Sequence, residues 1–75
     1  MKLMMIEQRT VFVSGVFNVL HPGHLRLLRF ARETGSRVIV AVLSDRLASA
    51  AAHVPEQLRL DGVCSNSWVD EAFVA

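Results

Sequence analysis

Several features that mark specialised classes of protein are scarce in this 75-residue sequence. Cys64 is the only cysteine, which excludes an internal disulfide or a multi-cysteine metal site and is consistent with a reducing cytoplasm. No segment approaches the roughly 20 apolar residues that a membrane-spanning helix needs. Eight Lys and Arg residues stand against seven acidic residues without forming a basic block, so non-specific nucleic-acid binding is not indicated. We therefore expect a cytoplasmic protein with neither a membrane nor a nucleic acid as its partner.

The composition that remains is that of an ordered protein, with 52% hydrophobic and 20% charged residues and no repeats or low-complexity linkers. The length allows one domain, residues 1–75, close to the lower limit for a self-sufficient core. The first ten residues begin like a signal peptide, but Glu7 and Arg9 interrupt the apolar run. We interpret this segment as a short lead-in to the first strand.

Two apolar segments of strand length flank a helical pattern. Thr10 to Val16 and Arg37 to Leu43 are continuous apolar runs, and the first is apolar on both faces, as expected of a strand covered on both sides in a parallel sheet. Between them apolar residues recur at helical spacing from about Gly23, and Gly35 suits the left-handed position that follows a helix. The pattern predicts a βαβ unit.

The second half of the chain predicts another helix and another strand. The segment Leu47 to His53 is compatible with a helix or a loop, whereas Pro55 suits the first position of a helix that ends near Ser65. A third strand is expected at Ala72 to Ala75. The fold class is therefore α/β, a partial Rossmann-like parallel sheet with β-α-β-α-β order, about three strands and two helices.

Side chains can be assigned to the faces of these two helices from their spacing. The first helix should bury Leu28 and Ala31, with Phe30 beside them, and Arg29 can pair with Glu33 one turn later. The remaining arginines of that helix should form a solvated face. In the second helix Leu60, Val63 and Cys64 should be buried, with Cys64 acting as a small hydrophobic residue.

The stretch between the first strand and the first helix is the most informative for chemistry. It places His21 and His24 where the helical pattern begins, and a helix N-terminus offers unpaired N–H groups to an anion. Two histidines at this spacing are also compatible with a metal pair or a capping cluster, but without a third ligand nearby a zinc site is not favoured.

This stretch resembles the signature of the nucleotidyltransferase superfamily that contains cytidylyltransferases and adenylyltransferases, a G-x-F-D segment followed by H-x-G-H. Gly15-Val16-Phe17-Asn18 and His21-Pro22-Gly23-His24 match it at every position except Asn18, where the family has Asp. Arg59 and Trp68-Val69-Asp70-Glu71 are similar to the second helix and third strand of the family. Class I aminoacyl-tRNA synthetases share H-x-G-H, but this chain is far too short for one.

The resemblance implies transfer of a nucleotidyl group, CMP rather than AMP, from CTP or ATP with Mg²⁺ to a small phosphate ester. His21 and His24 would be catalytic, and no protein metal site is expected. The nucleotide-binding residues would be Ser14, Gly15, Val16, Phe17, Asn18, Gly23, Asp45 and Arg59. The alternative function is a non-catalytic nucleotide-binding or oligomerisation module derived from the same fold.

Several side chains keep two interpretations. Asp45 would orient substrate or lie at a solvated strand end, and Arg59 would reach phosphate or lie on the surface. Trp68 is more readily a core anchor than a stacking platform, and His53 a loop residue without a role.

The sequence also departs from the family in what is missing. Alanines occupy positions 50–52, where many relatives carry lysines that meet the triphosphate. The two further strands and the Ser-Thr-x-x-Arg motif of the family's second half are absent. Without the fourth strand, residues 11–16 would form an exposed edge. We expect a homo-oligomer, a dimer through strand 11–16, or a missing C-terminal segment to cover that edge.

Overall fold

The computed structural model describes residues 2–7, 10–20, 22–34 and 37–75, with only the backbone described for residues 2–7. The strands are β1 (Lys2–Glu7), β2 (Thr10–Gly15), β3 (Arg37–Val42) and β4 (Glu71–Val74). The helices are α1 (Pro22–Glu33), the short α2 (Asp45–Ala48), a 3-10 turn (Ser49–Ala51) and α3 (Glu56–Cys64). Among the described helices, none has the length and apolar character needed to cross a membrane.

The sheet has the order β1-β2-β3-β4, and β2, β3 and β4 run parallel. This confirms the predicted α/β, Rossmann-like fold class and the three predicted strands. In the register, Val11 lies beside Val38 and Val13 beside Val40. The helix α1 crosses over between β2 and β3, as expected for two parallel strands that no hairpin turn can join.

The N-terminal segment corrects the sequence-based prediction. Residues Lys2–Glu7 form β1, which pairs antiparallel with β2 and brings Glu7 opposite Thr10. The expected lead-in is thus a strand, and β2 lies inside the sheet instead of at an exposed edge. Pairing with β1 satisfies backbone groups that an edge strand leaves open, and a segment so close in sequence reaches that position at little entropic cost. The predicted dimer through strand 11–16 stays a prediction, and it would require β1 to leave.

The core lies on one face of the sheet. Alternate valines of β2 and β3 are almost fully buried there and pack against Leu28 and Ala31 of α1 and Val63 of α3. The opposite face carries Phe12 and Ile39, which are half-buried, and Phe73, which contacts Phe12 and is 43% exposed. The sequence predicted a strand covered on both sides, whereas in the described residues the second face of β2 is only partly covered.

The helices agree with their predicted positions but not with every predicted face. Phe30 is 64% exposed and Cys64 is exposed, so neither joins the core. Each is adjacent in sequence to a buried residue, Phe30 to Ala31 and Cys64 to Val63, and helical rotation of about 100° per residue turns its side chain outward. Pro55 precedes α3 as its N-cap, and Gly35 lies outside the described residues. Arg29 and Glu33 form the predicted pair at 2.8 Å.

Candidate functional site

The candidate site lies where β2 and β3 end, at the same edge of the sheet. The amide of Leu43 donates to the carbonyl of Gly15 at 2.9 Å, which joins the segments that follow the two strands. Ser14 is half-buried and Gly15 is buried at this edge. Open α/β sheets bind their ligands at the carboxyl ends of the parallel strands. The stretch from Gly15 to His24, which follows β2, therefore begins at the edge of the sheet where a ligand is expected.

Phe17 occupies an unusual backbone conformation in the segment between β2 and α1. Its φ is 56°, in the left-handed region, and its side chain is only 5% exposed. Such a conformation costs on the order of 1–3 kcal/mol in a bulky residue and persists only where packing enforces it. Its ring therefore lies in the core, and the contact of Gly15, Val16 and Phe17 with a nucleotide stays a prediction.

The Phe17 ring also contacts His24. The two ring centroids are 5.3 Å apart and the planes meet at 64°, an edge-to-face arrangement. His24 lies in the first turn of α1, two residues after Pro22, and its Nδ1 is shielded from solvent. The imidazole is therefore held by packing at the positive end of a helix dipole. His21, the other predicted catalytic residue, lies outside the described residues.

Asn18, the one departure from the family signature, connects two loops. Its Nδ2 donates to the carbonyl of Ala51 at 2.8 Å, and its Oδ1 accepts from the amides of His53 at 2.8 Å and Val54 at 3.3 Å. An aspartate would accept the two amide bonds but could not donate to Ala51. The amide thus holds residues 51–54 beside the segment that carries Phe17.

Arg59 is buried in the same region, which neither interpretation of the sequence anticipated. Its side chain has no exposed surface and donates to the carbonyls of Val54, Val16 and Leu43 at 2.7, 2.8 and 2.6 Å. Its Nη2 donates to Oδ1 of Asp45 at 2.7 Å. The guanidinium is committed to these four groups, so we interpret Arg59 as a residue that shapes the site and not as a surface or phosphate-facing arginine.

The partners of Arg59 lie between 5 and 43 residues away in sequence. No local pattern relates the arginine to carbonyl groups so distant, which is why its burial could not be predicted. The only signal was the match of Arg59 to the arginine that precedes an apolar helix in the family. That signal located the residue but not its contacts.

Asp45 lines an open cavity of about 290 Å³ beside these loops. Its side chain is 53% exposed, and its backbone amide donates to Oε1 of Glu56 at 2.9 Å. The other lining residues are Ser49, Ala52, His53, Val54 and Pro55. The cavity therefore includes His53, for which the sequence indicated no role.

Two further observations concern the surroundings of the site: the burial of Trp68, and whether side chains that could bind a metal ion are grouped together. Trp68 is half-buried and packs against the core cluster, in agreement with its interpretation as an anchor. Within the described ranges, no three His, Cys, Asp or Glu side chains are grouped so that they could hold a metal ion.

Comparison with known proteins gives the family. A family model described as cytidylyltransferase-like matches residues 12–75. FAD synthase of Aciduliprofundum boonei is 40% identical over 67 residues, which cover 85% of this chain and 45% of that protein. Ethanolamine-phosphate cytidylyltransferase of Arabidopsis thaliana is 37% identical over 73 residues, covering 91% and 17%. Bifunctional protein HldE of Marinomonas sp. is 36% identical over 70 residues, covering 83% and 15%.

A solved structure shows the same fold. The lipopolysaccharide core biosynthesis protein of Thermoplasma volcanium superposes with a TM-score of 0.76 and 28% identity, over 85% of this chain and 55% of that one. The chain thus spans about half the length of that protein and of the FAD synthase of Aciduliprofundum boonei. With the family model matching most of its residues, the chain belongs to the cytidylyltransferase-like family of the HxGH nucleotidyltransferase superfamily.

Proposed function

We propose that this chain supplies the nucleotide-activating half of a nucleotidyltransferase, which transfers CMP, in preference to AMP, from a nucleoside triphosphate to a small phosphate ester. Family membership supports nucleotidyl transfer in general. The cytidylyltransferase-like description of the family, and a relative named as a cytidylyltransferase, support CTP as the donor.

The observation that carries the proposal is the placement of His24. Its imidazole lies in the first turn of α1 directly after β2, and the edge-to-face contact with Phe17 fixes its position. Imidazole donors at a helix N-terminus suit the negative charge that develops on the α-phosphoryl oxygens in the transition state. His21 would be the second donor at the same turn.

The reaction needs positioning and charge stabilisation more than covalent participation by the protein. An anionic oxygen of the acceptor phosphate attacks the α-phosphorus and forms a new P–O bond. The bond between the α-phosphorus and the bridging oxygen breaks, and its electrons leave with pyrophosphate. Since the nucleophile is already an oxyanion, no general base is required, and the histidines act as hydrogen-bond donors.

The other predicted site residues divide into two groups. Ser14, Gly15, Val16 and Gly23 would border the nucleotide, with Gly23 letting phosphate approach the backbone. Phe17, Asn18 and Arg59 would act indirectly, through their contacts with His24, residues 51–54 and Asp45. Mg²⁺ would enter bound to the triphosphate as part of the substrate.

A pyrophosphate-release assay with the histidine variant tests this function. His24→Ala should lower turnover about 100-fold, or on the order of 3 kcal/mol, the cost of removing one oxyanion donor. Phe30→Ala, an exposed change on the same helix, should leave turnover unchanged. CTP and ATP are tested as alternative donors, each in the presence of Mg²⁺ and with each member of a panel of phosphate esters. Nucleotide binding without turnover would favour the non-catalytic nucleotide-binding module, and the absence of nucleotide binding would refute the proposed function.

A further inference from the structure

The N-terminal strand β1 forms one edge of the sheet. It pairs with β2 on one side, and among the described residues no strand pairs with its other side. The outer edge of a strand presents backbone N–H and C=O groups that another strand can bind. The sequence of β1 is KLMMIE, with four consecutive apolar residues between Lys2 and Glu7. This edge therefore has the composition that favours pairing with a further strand.

The edge at the other side of the sheet differs from β1. The strand β4 has four residues and begins with Glu71, which is exposed and bonds Arg37 at 2.7 Å. Short length and charged side chains are two of the devices by which proteins prevent edge strands from pairing. The strand β1 has six residues and carries no charge between its ends. We therefore expect a partner strand at β1 and not at β4.

The register with β2 assigns residues of β1 to the faces of the sheet. Leu3 lies opposite Val13, and Met5 lies opposite Val11. Residues directly opposite each other in neighbouring strands share a face, and both valines belong to the buried core. Leu3 and Met5 therefore lie on the face that carries the core.

An irregularity in β1 brings its two charged residues to one face. The register shifts between Met5 and Glu7, which places Glu7 opposite Thr10. Lys2 lies opposite Ser14, and Thr10 and Ser14 share a face because they are four residues apart in one strand. Lys2 and Glu7 thus lie on the same face of the sheet, at opposite ends of β1.

Two copies of β1 are complementary in an antiparallel arrangement. A two-fold axis perpendicular to the sheet at Met4 places Met4 opposite Met4 of the second copy, and Leu3 opposite Met5 of the second copy. These central pairs are all apolar. Lys2 of each copy then lies near Glu7 of the other, while the two lysines are at opposite ends of the contact. Opposite charges therefore meet at both ends, and no like charges face each other.

We propose that the outer edge of β1 pairs with the same edge of a second copy of this chain, antiparallel and centred on Met4. The product is a continuous sheet of eight strands, four from each copy. It differs from a dimer through residues 11–16, because β1 stays paired with β2. The two copies of β2 run in opposite directions in this dimer, so the candidate sites lie at opposite edges and each stays within one copy. The proposal is therefore independent of the proposed function.

Analytical ultracentrifugation of the chain over a concentration series measures the dimer. Met4→Lys places two lysines directly opposite each other at the axis, so it should weaken dimerisation roughly tenfold. The matched control is Leu58→Lys, which adds the same charge at an exposed position of α3 and should leave dimerisation unchanged. Far-UV circular dichroism verifies the fold of each variant. A parent chain that stays monomeric throughout the series would overturn the proposal, as would equal weakening by the two variants.

Disulfide formation tests the register, and it decides the matter even if Met4→Lys does not fold. In a Cys64→Ser background, which removes the exposed native thiol, Met4→Cys should oxidise to a linked dimer. Residues opposite each other in antiparallel strands are close enough for this bond. Phe12→Cys should stay monomeric, because β2 lies inside the sheet. Failure of Met4→Cys to form the linked dimer would overturn the proposal, and a link through Phe12→Cys in its place would identify pairing through residues 11–16.

Discussion

Both ends of the sheet are held by an arginine that bonds an aspartate, but the two arginines lie in different surroundings. At the carboxyl ends of the strands, Arg59 is fully buried and bonds three backbone carbonyls as well as Asp45. At the amino ends, Arg32 is 48% exposed and bonds only Asp70 among the described residues, with Nη1 to both oxygens at 2.7 and 2.8 Å. Here it is the aspartate that reaches the backbone, since Asp70 accepts from the amide of Val38 at 2.7 Å.

The difference teaches which partner matters in each pair. In the Arg59 network the guanidinium is the hub, and carbonyls of three segments depend on it. In the Arg32 pair the carboxylate is the hub, because it fixes the start of β3, and the arginine contributes mainly by its charge. We therefore expect arginine substitution to dominate at the site and aspartate substitution to dominate at the opposite edge.

The largest effect is expected from Arg59→Leu. Because the carbonyls of Val16, Leu43 and Val54 would lose their donor inside the protein, the free energy of unfolding should fall by about 3 kcal/mol or more. Arg59→Lys should recover little of this, since an ammonium lacks the planar fork of donors. Urea unfolding measures the loss, with Arg46→Leu, an exposed change on α2, as the control. Equal losses in the two leucine variants would contradict the hub role.

An intermediate effect is expected from Asp70→Asn. The Val38 amide, and secondarily Arg32, hold the pKa of Asp70 below its ordinary value of 3.8. The ionised carboxylate therefore stabilises the fold above that value, and this contribution is lost as the pH falls through the lower pKa of the folded state. At pH 7 the variant should lose about 1.5–3 kcal/mol of unfolding free energy, the range for hydrogen bonds to charged groups.

Urea unfolding between pH 7 and pH 2 checks the Asp70 prediction. The difference between the parent chain and Asp70→Asn should shrink as the pH falls below the ordinary value of 3.8. It should be lost below the lower pKa of the folded state, because both chains then carry an uncharged group at this position. Glu71→Gln serves as the control, since its pair with Arg37 is exposed at both partners and contributes little. A difference that stays constant down to pH 2 would show that the charge of Asp70 is not responsible.

The smallest effect is expected from Asn18→Asp, which restores the family residue. The carboxylate keeps both amide donors but loses the bond to Ala51 and faces that carbonyl, so about 1 kcal/mol of unfolding free energy should be lost. Faster hydrogen exchange at the amides of residues 51–54 should accompany the loss. Asn66→Asp is the matched control, because Asn66 acts as an acceptor toward the amide of Trp68, which a carboxylate also provides. An unchanged exchange rate would contradict the role of Asn18 in holding the loop.

Much of the fold could be predicted because its signals are local. Strands Thr10–Gly15 and Arg37–Val42 are predicted by continuous runs of apolar residues. The helix α1 is predicted by apolar residues at helical spacing, which begins just after Pro22. The antiparallel strand Lys2–Glu7 was missed, because its short segment carries no hairpin signal such as Asn-Gly before Thr10. Its strand pairing, and not its sequence pattern, defines it.

The candidate site likewise has parts that local sequence signals predict and parts that they do not. The sequence by itself determined the strand, the helix start and the histidine motif, since backbone preference and helical periodicity act over a few residues. Only the tertiary structure decided that Arg59 is buried, that Asn18 connects the loops, and that His53 lines a cavity with Asp45. Those contacts join residues far apart in the chain, and a buried hydrogen bond forms only after packing has brought donor and acceptor together and removed water from both.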